Sequence, residues 1–243
     1  MTPQLQNWHN FCLHHTGDWY SQRTRYSPEG EKIKSWQAIS YLHLNEERDE
    51  ISHQEELTYT NGNKELKDYG IYKKPITSSL FLDNSFCWGT KQLEYNSIFI
   101  FEIGLRFENR RILCYTKYNN KGEIEYISTA VEYLNNKVYN QSTQKKMRDN
   151  WQGNLKKITP DWIVSQQEES LWKPLGELNK DYITLELNEC ISVSCPQIIE
   201  KRKAFFIAVD WQVNPILLQR GIGYYDSSHF THFTLESFKP VVE

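Results

Sequence analysis

His53 and Glu55 stand two residues apart in ISHQEEL, so on a strand their side chains share a face. Inside a barrel an imidazole beside a carboxylate forms a base and its orienter. On an outward face the same two groups are simply solvated, and outward is the expectation here. Arg23 and Arg25 also share a face, in DWYSQRTRY, together with Trp19 and Ser21. Cys87, in DNSFCWGTKQ, has no helix start, cation or histidine beside it in sequence to lower its pKa, so a packing role is expected. His14 and His15 diverge on a helix, and His229 and His232 fall on opposite strand faces, so neither pair makes a metal site. Asp210-Trp211 and Tyr224-Tyr225-Asp226 are open to a pocket or a turn reading. No G-x-S-x-G, phosphate-binding glycine loop or H-E-x-x-H is present.

The composition suits strands around either a ligand cavity or a small filled barrel with a protein-binding outer face. Aromatic residues make up 14% of the 243-residue chain, with fifteen Tyr and eight Trp, and such side chains favour strands and line ligand cavities. With 28 basic against 31 acidic residues there is no basic footprint for nucleic acid. No run approaches the length of an apolar membrane span, and MTPQLQNWHN lacks a basic start followed by an apolar core. A soluble, cytoplasmic protein is expected, without membrane insertion. Five cysteines, with no CxxC spacing, are expected to be reduced thiols.

The elements that would hold these groups are mostly strands. Thr2-Pro3 is a capping hydroxyl before a helical proline, and Leu5, Trp8, Phe11 and Cys12 then follow on one helical face until Thr16-Gly17. From Trp19 the period changes to two. Strands are expected at 19–26, 33–44, 50–60, 64–72, 97–107, 111–119 and 123–134. After a polar linker over 135–150 they resume at 151–158, 162–169, 182–187, 191–194, 204–213, 216–225 and 229–238. Each half opens on a tryptophan (Trp19, Trp151) and closes in a hairpin with a late glutamate (Glu132, Glu236), an internal echo of one antiparallel unit. The expected division is residues 1–138 and 148–243.

Gly17-Asp18-Trp19 after a short helix resembles the G-x-W opening of the lipocalin (calycin) superfamily. That resemblance implies a tryptophan plugging one barrel end beneath an arginine, Arg110 or Arg111, with Trp151 and Arg220 as the second-half equivalent. More narrowly, Trp8, Phe11, His14 (or His15), Gly17 and Trp19, with ISVSCPQIIE, AFFIAVDWQV and LLQRGIGYYD downstream, resemble a cyanobacterial and plastid lipocalin-like family of largely unassigned function. A plant relative of that family, built from two small barrels, assembles the chloroplast ATP synthase. GDWYSQRTRY also resembles the opening of the S-type phycobiliprotein lyases, which hold a bilin; by that resemblance Arg23 and Arg25 would pair with propionates, since a guanidinium fork matches a carboxylate.

The expected fold is all-β: an antiparallel lipocalin-like barrel followed by a smaller related barrel or half-barrel. The expected function is non-catalytic binding of a hydrophobic, tetrapyrrole-like molecule, or chaperoning of a photosynthetic-complex subunit. The alternative is an enzyme using the same cavity, a bilin lyase or an isomerase or cyclase, through His53 and Glu55. Arg23, Arg25, Tyr26, Trp36, Trp88 and Tyr115 are the ligand-facing candidates. Gly17, Trp19, Arg111, Trp151 and Arg220 are the closure candidates. No motif requires a cofactor or metal, and a bilin or similar hydrophobic ligand is what the resemblance implies.

Overall fold

The computed structural model describes residues 1–94, 96–135, 151–187 and 190–241; all but the first residue of the expected linker lie outside that set. Thr2 Oγ1 accepts a hydrogen bond from the Leu5 N–H and Pro3 occupies the first turn, so helix α1 runs Pro3–His14. Trp8, Phe11 and Cys12 are buried on it, but Leu5 is not; two asparagines, Asn7 and Asn10, are buried instead. Gly17, at φ 120°, turns the chain sharply into the first strand with its α-carbon against the Leu134 side chain.

Nine antiparallel strands follow: β1 (Gly17–Tyr26), β2 (Lys32–Leu44), β3 (Glu50–Tyr59), β4 (Lys64–Lys73), β5 (Ser79–Leu82), β6 (Ser85–Gly89), β7 (Phe99–Phe107), β8 (Arg110–Tyr118) and β9 (Ile124–Leu134). They form one curled half-barrel sheet in the order β4-β3-β2-β1-β9-β8-β7-β6-β5. β5 and β6 were not expected from the sequence: each is short, and the turn between them bends at Asp83 with φ 51°. The sheet ends at β4 and β5, and α1 covers the second of these edges. Asn7 Nδ2 donates to the Ser79 carbonyl, Asn7 Oδ1 accepts from the Phe81 N–H, and Asn10 Nδ2 donates to the Phe81 carbonyl. Two buried amide side chains thus take the place of a neighbouring strand, which satisfies an edge that would otherwise be left open. Phe11 spans the gap between the edges, stacked on Phe81 at 4.5 Å and edge-on to Tyr72 at 5.6 Å.

The second half contains β10 (Trp151–Ile158), β11 (Glu168–Leu171), the single turn α2 (Leu175–Leu178), β12 (Ile183–Leu187), β13 (Ile191–Cys195), β14 (Phe205–Asn214), β15 (Leu217–Tyr225) and β16 (Phe230–Pro240). The expected strand over 162–169 is a correction. Trp162 sits at φ 62° in a turn closed by its N–H to the Thr159 carbonyl, and ladder pairing starts only at Glu168. The sheet order, β11-β10-β16-β15-β14-β13-β12, repeats β2-β1-β9-β8-β7-β6-β5, and β3 and β4 have no counterparts among the described residues. The echoed glutamates occupy like positions: Arg111 pairs across from Glu132, and Arg220 from Glu236.

The two sheets pack through the faces that carry Phe101, Ile103 and Cys114 on one side and Ile207, Val209 and Phe233 on the other, all in one buried cluster. Glycines allow the close approach. A β-carbon on Gly221 would lie 2.7 Å from Ile103 Cγ2, and one on Gly223 would overlap the Phe101 ring. Gly223→Ala is therefore expected to cost about 2 kcal/mol through overpacking, read as a lower urea midpoint with an unchanged slope. A midpoint equal to that of the parent would mean that the sheets do not meet here.

Candidate functional site

The face of the half-barrel opposite the shared core encloses a cavity of about 530 Å³, within the range of small-molecule sites. Alternation along β1 turns Trp19, Ser21, Arg23 and Arg25 inward. Arg23, Arg25, Trp36, Trp88 and Tyr115, five of the six ligand-facing candidates, line the cavity. Tyr26 does not. It lies on the other face of β1, 3% exposed in the shared core, so its candidacy is withdrawn. His53 and Glu55 are corrected in the other direction: they line the cavity, with Glu55 buried and His53 half-buried, rather than facing solvent.

The closed end is built from matched charges. The Arg111 guanidinium lies 4.1 Å from the Trp19 ring centroid, and Arg106 adds a second cation at 5.3 Å. Arg110 turns the other way, to Trp211 and the Val213 carbonyl. Trp19 Nε1 donates to the His15 carbonyl at 2.9 Å, which ties the indole to the end of α1. Arg111 holds Glu132 Oε2 through Nε at 2.6 Å and Nη2 at 2.5 Å, while Glu132 Oε1 lies 3.6 Å from Arg23 Nη2. Arg23 in turn grips both oxygens of Glu55, and Glu55 also accepts from Ser40 and Tyr69, each at 2.9 Å. Glu55–Arg23–Glu132–Arg111 is thus a continuous chain of alternating charge ending on the Trp19 indole.

These contacts set the proton affinities. Burial works against the Glu55 carboxylate, but the Arg23 charge and hydrogen bonds outweigh it and hold the pKa at about 2. Burial lowers the His53 pKa to about 4 against the pull of Glu55, so the imidazole is neutral at physiological pH, with Nδ1 3.0 Å from the Tyr72 hydroxyl and the ring stacked on Tyr69. Neither group is set to exchange a proton near neutrality. Glu102 is different, and sequence reasoning missed it. Burial raises its carboxyl to about 7 against the opposing Arg23 charge. It faces the cavity from β7, and among the described residues it makes no hydrogen bond or ion pair. The available signal was a lone acid inside the otherwise apolar run FIFEIGL.

Arg25 also lacks an acidic partner among the described residues. Its guanidinium lies 3.7 Å from the Tyr126 ring centroid and 5.9 Å from that of Trp36. In the second sheet the like face is filled. Arg220 is clamped by Asp210 (2.6 and 2.7 Å) beside Phe238, which packs with Trp151; Trp172 donates to Asp210, and Leu175 packs on Ala208 and Ile222. Asp210 therefore lies neither in a turn nor at a cavity: it is a buried residue of β14 and the ion-pair partner of Arg220. All five cysteines are free thiols, and burial raises the pKa of Cys87, in keeping with packing. Among the described residues no three His, Cys, Asp or Glu converge as metal ligands, and no helix is long and apolar enough to cross a membrane.

Glu55 contributes stability that is fully present above its unfolded pKa of about 4.5 and is lost as the pH falls toward 2. Glu55→Gln is expected to lower the urea midpoint at neutral pH, by about 2 kcal/mol in stability, and to flatten the profile over that acid window. A variant profile parallel to the parent's throughout would contradict the ion pair.

No curated protein sequence matches the chain. A protein of unknown function from Nostoc punctiforme, of the DUF3598 family, superimposes with a TM-score of 0.79 at 18% identity, covering 97% of this chain and 99% of that one, and so has the same fold. An S-type phycobiliprotein lyase from Guillardia theta (TM-score 0.22, 8% identity, 99% and 96% covered) and kievitone hydratase from Nectria haematococca (0.26, 9%, 94% and 90%) align too poorly to carry any inference. The family model described as domain of unknown function (DUF3598), N-terminal, matches residues 4–137, more than half of the chain, and this protein belongs to the DUF3598 family.

Proposed function

We infer that the half-barrel is a non-catalytic binding site for a planar, mostly apolar small molecule bearing a carboxylate, a description that a linear tetrapyrrole of the bilin class fits. Arg25 is the observation that carries this reading. A cation set between two aromatic rings at a cavity wall, with no acidic partner among the described residues, is arranged to receive an anionic group from a ligand. Trp36, Tyr59, Tyr115, Tyr126 and Trp88 supply flat apolar walls around it. Binding is favoured over catalysis because the His53–Glu55 pair is already committed: Glu55 to Arg23, Ser40 and Tyr69, and His53 to Tyr72. Arg23, expected by resemblance to meet a propionate, already holds Glu55 and serves the cavity floor instead.

Titration with biliverdin, followed by quenching of Trp fluorescence and by the pigment's visible spectrum, tests this reading. Saturable binding at micromolar pigment is expected, weakened about tenfold by Arg25→Ala. Arg23→Ala is expected to lower the melting temperature through loss of the Glu55 and Glu132 contacts. Absence of binding, or equal affinity in Arg25→Ala, would overturn the assignment.

A further inference from the structure

One cross-strand row of the cavity wall brings together polar groups that lack partners among the described residues. Reading across the sheet, Trp88 on β6 pairs with Glu102 on β7, Glu102 with Tyr115 on β8, Tyr115 with Ser128 on β9, Ser128 with Arg25 on β1, and Arg25 with Lys34 on β2. Directly opposed residues point to the same side of a sheet, and all six line the cavity. The Ser128 hydroxyl and Arg25 Nε are buried without a hydrogen-bond partner, and the Glu102 carboxyl has neither hydrogen bond nor ion pair among the described residues. Buried polar atoms are nearly always satisfied, so two unsatisfied groups side by side, with an unpaired acid further along the same row, mark a place where something else completes them. The acid and the cation stand three strand spacings apart, about 14 Å along the sheet.

We propose that this row is a two-ended polar subsite: Arg25 with Ser128 takes a carboxylate, and Glu102 takes an N–H donor or protonated nitrogen of the same ligand. This rests on the binding reading above and narrows it. The occupant is a planar nitrogen heterocycle with an acidic arm, rather than a fatty acid or another apolar molecule carrying only a carboxylate. The groups facing Glu102 are Arg23 and Arg25 on β1, Glu55 on β3, Trp88 on β6, Arg111 and Tyr115 on β8 and Glu132 on β9. Arg23 and Arg111 favour its ionised form, while Glu132, Glu55 and above all burial oppose it. An arriving cationic N–H restores that charge by pairing with it, whereas an isolated carboxylate ligand gives Glu102 nothing.

Biliverdin and palmitate are the paired probes, measured on the full chain and on Glu102→Gln across neutral pH. Biliverdin is expected to bind with its ring nitrogens protonated, seen as a strengthened long-wavelength band, and Glu102→Gln is expected to lose that band and about tenfold in affinity. Palmitate, at whatever strength it binds, is expected to be indifferent to the substitution. The variant's melting temperature is expected to equal or exceed the parent's, because an unpaired carboxyl has been removed from the cavity wall. Biliverdin binding with unchanged affinity and spectrum in Glu102→Gln overturns the two-ended subsite and leaves the binding function standing. Palmitate bound but biliverdin refused overturns the ligand class. A fall in melting temperature assigns Glu102 a structural role and overturns the proposal, and failure of both probes overturns the binding function with it.

Discussion

Charge inside a half-barrel has to be matched, and the Glu55–Arg23–Glu132–Arg111 chain is the match on which the rest of the site depends. An ionised side chain taken out of water is costly unless a partner and further hydrogen bonds replace its hydration. Two cations and two anions alternate here, Ser40 and Tyr69 fill remaining positions on Glu55, and the last guanidinium lies over Trp19. Because the four residues come from β1, β3, β8 and β9, the chain also fixes which face of each strand turns inward. A one-residue slip in any of them would carry a buried charge to the wrong side. Arg25, Ser128 and Glu102, in the next row, take no part in that chain of charges.

The second sheet shows what the same meander does when its inner face is not left open. It repeats seven strands of the first in order, with an arginine and a glutamate opposed at like positions. Among the described residues it has no counterpart to β3 and β4, and the segment after β11 that carries Trp172 and Leu175 packs on the face instead. Arg220 finds Asp210 on its neighbouring strand and the Lys173 carbonyl from the covering segment. Two copies of one topology thus diverge: one keeps a cavity, and the other becomes a filled support whose opposite face, thinned by Gly221 and Gly223, seats the first.

Much of this was legible in the chain itself. The change of period at Trp19, the proline and glycine turns, and the matched hairpins gave the strand meander, and the Thr2-Pro3 start gave the helix. What alternation could not show was which face of a strand is inside. His53 and Glu55 lie in a polar stretch whose inward residues are charged, so the usual equation of polar with outward failed. Tyr26 failed for the converse reason, since the outer face of β1 is buried at that end by the second half of the chain. β5 and β6 are too short for a periodic signal, and β5 is completed by side chains of a helix about seventy residues away. Glu102 was hidden because an acid in an apolar strand is visible, but its lack of a partner among the described residues depends on where the other eight strands of the sheet place their side chains.

A crystal structure of the protein with biliverdin bound would show which arginine receives the pigment. The pigment is expected in the half-barrel cavity with a propionate oxygen within about 3 Å of the Arg25 guanidinium, while Arg23 keeps its hold on Glu55. Pigment bound elsewhere, or a propionate that displaces Glu55 from Arg23 while Arg25 stays on Tyr126 alone, would contradict it.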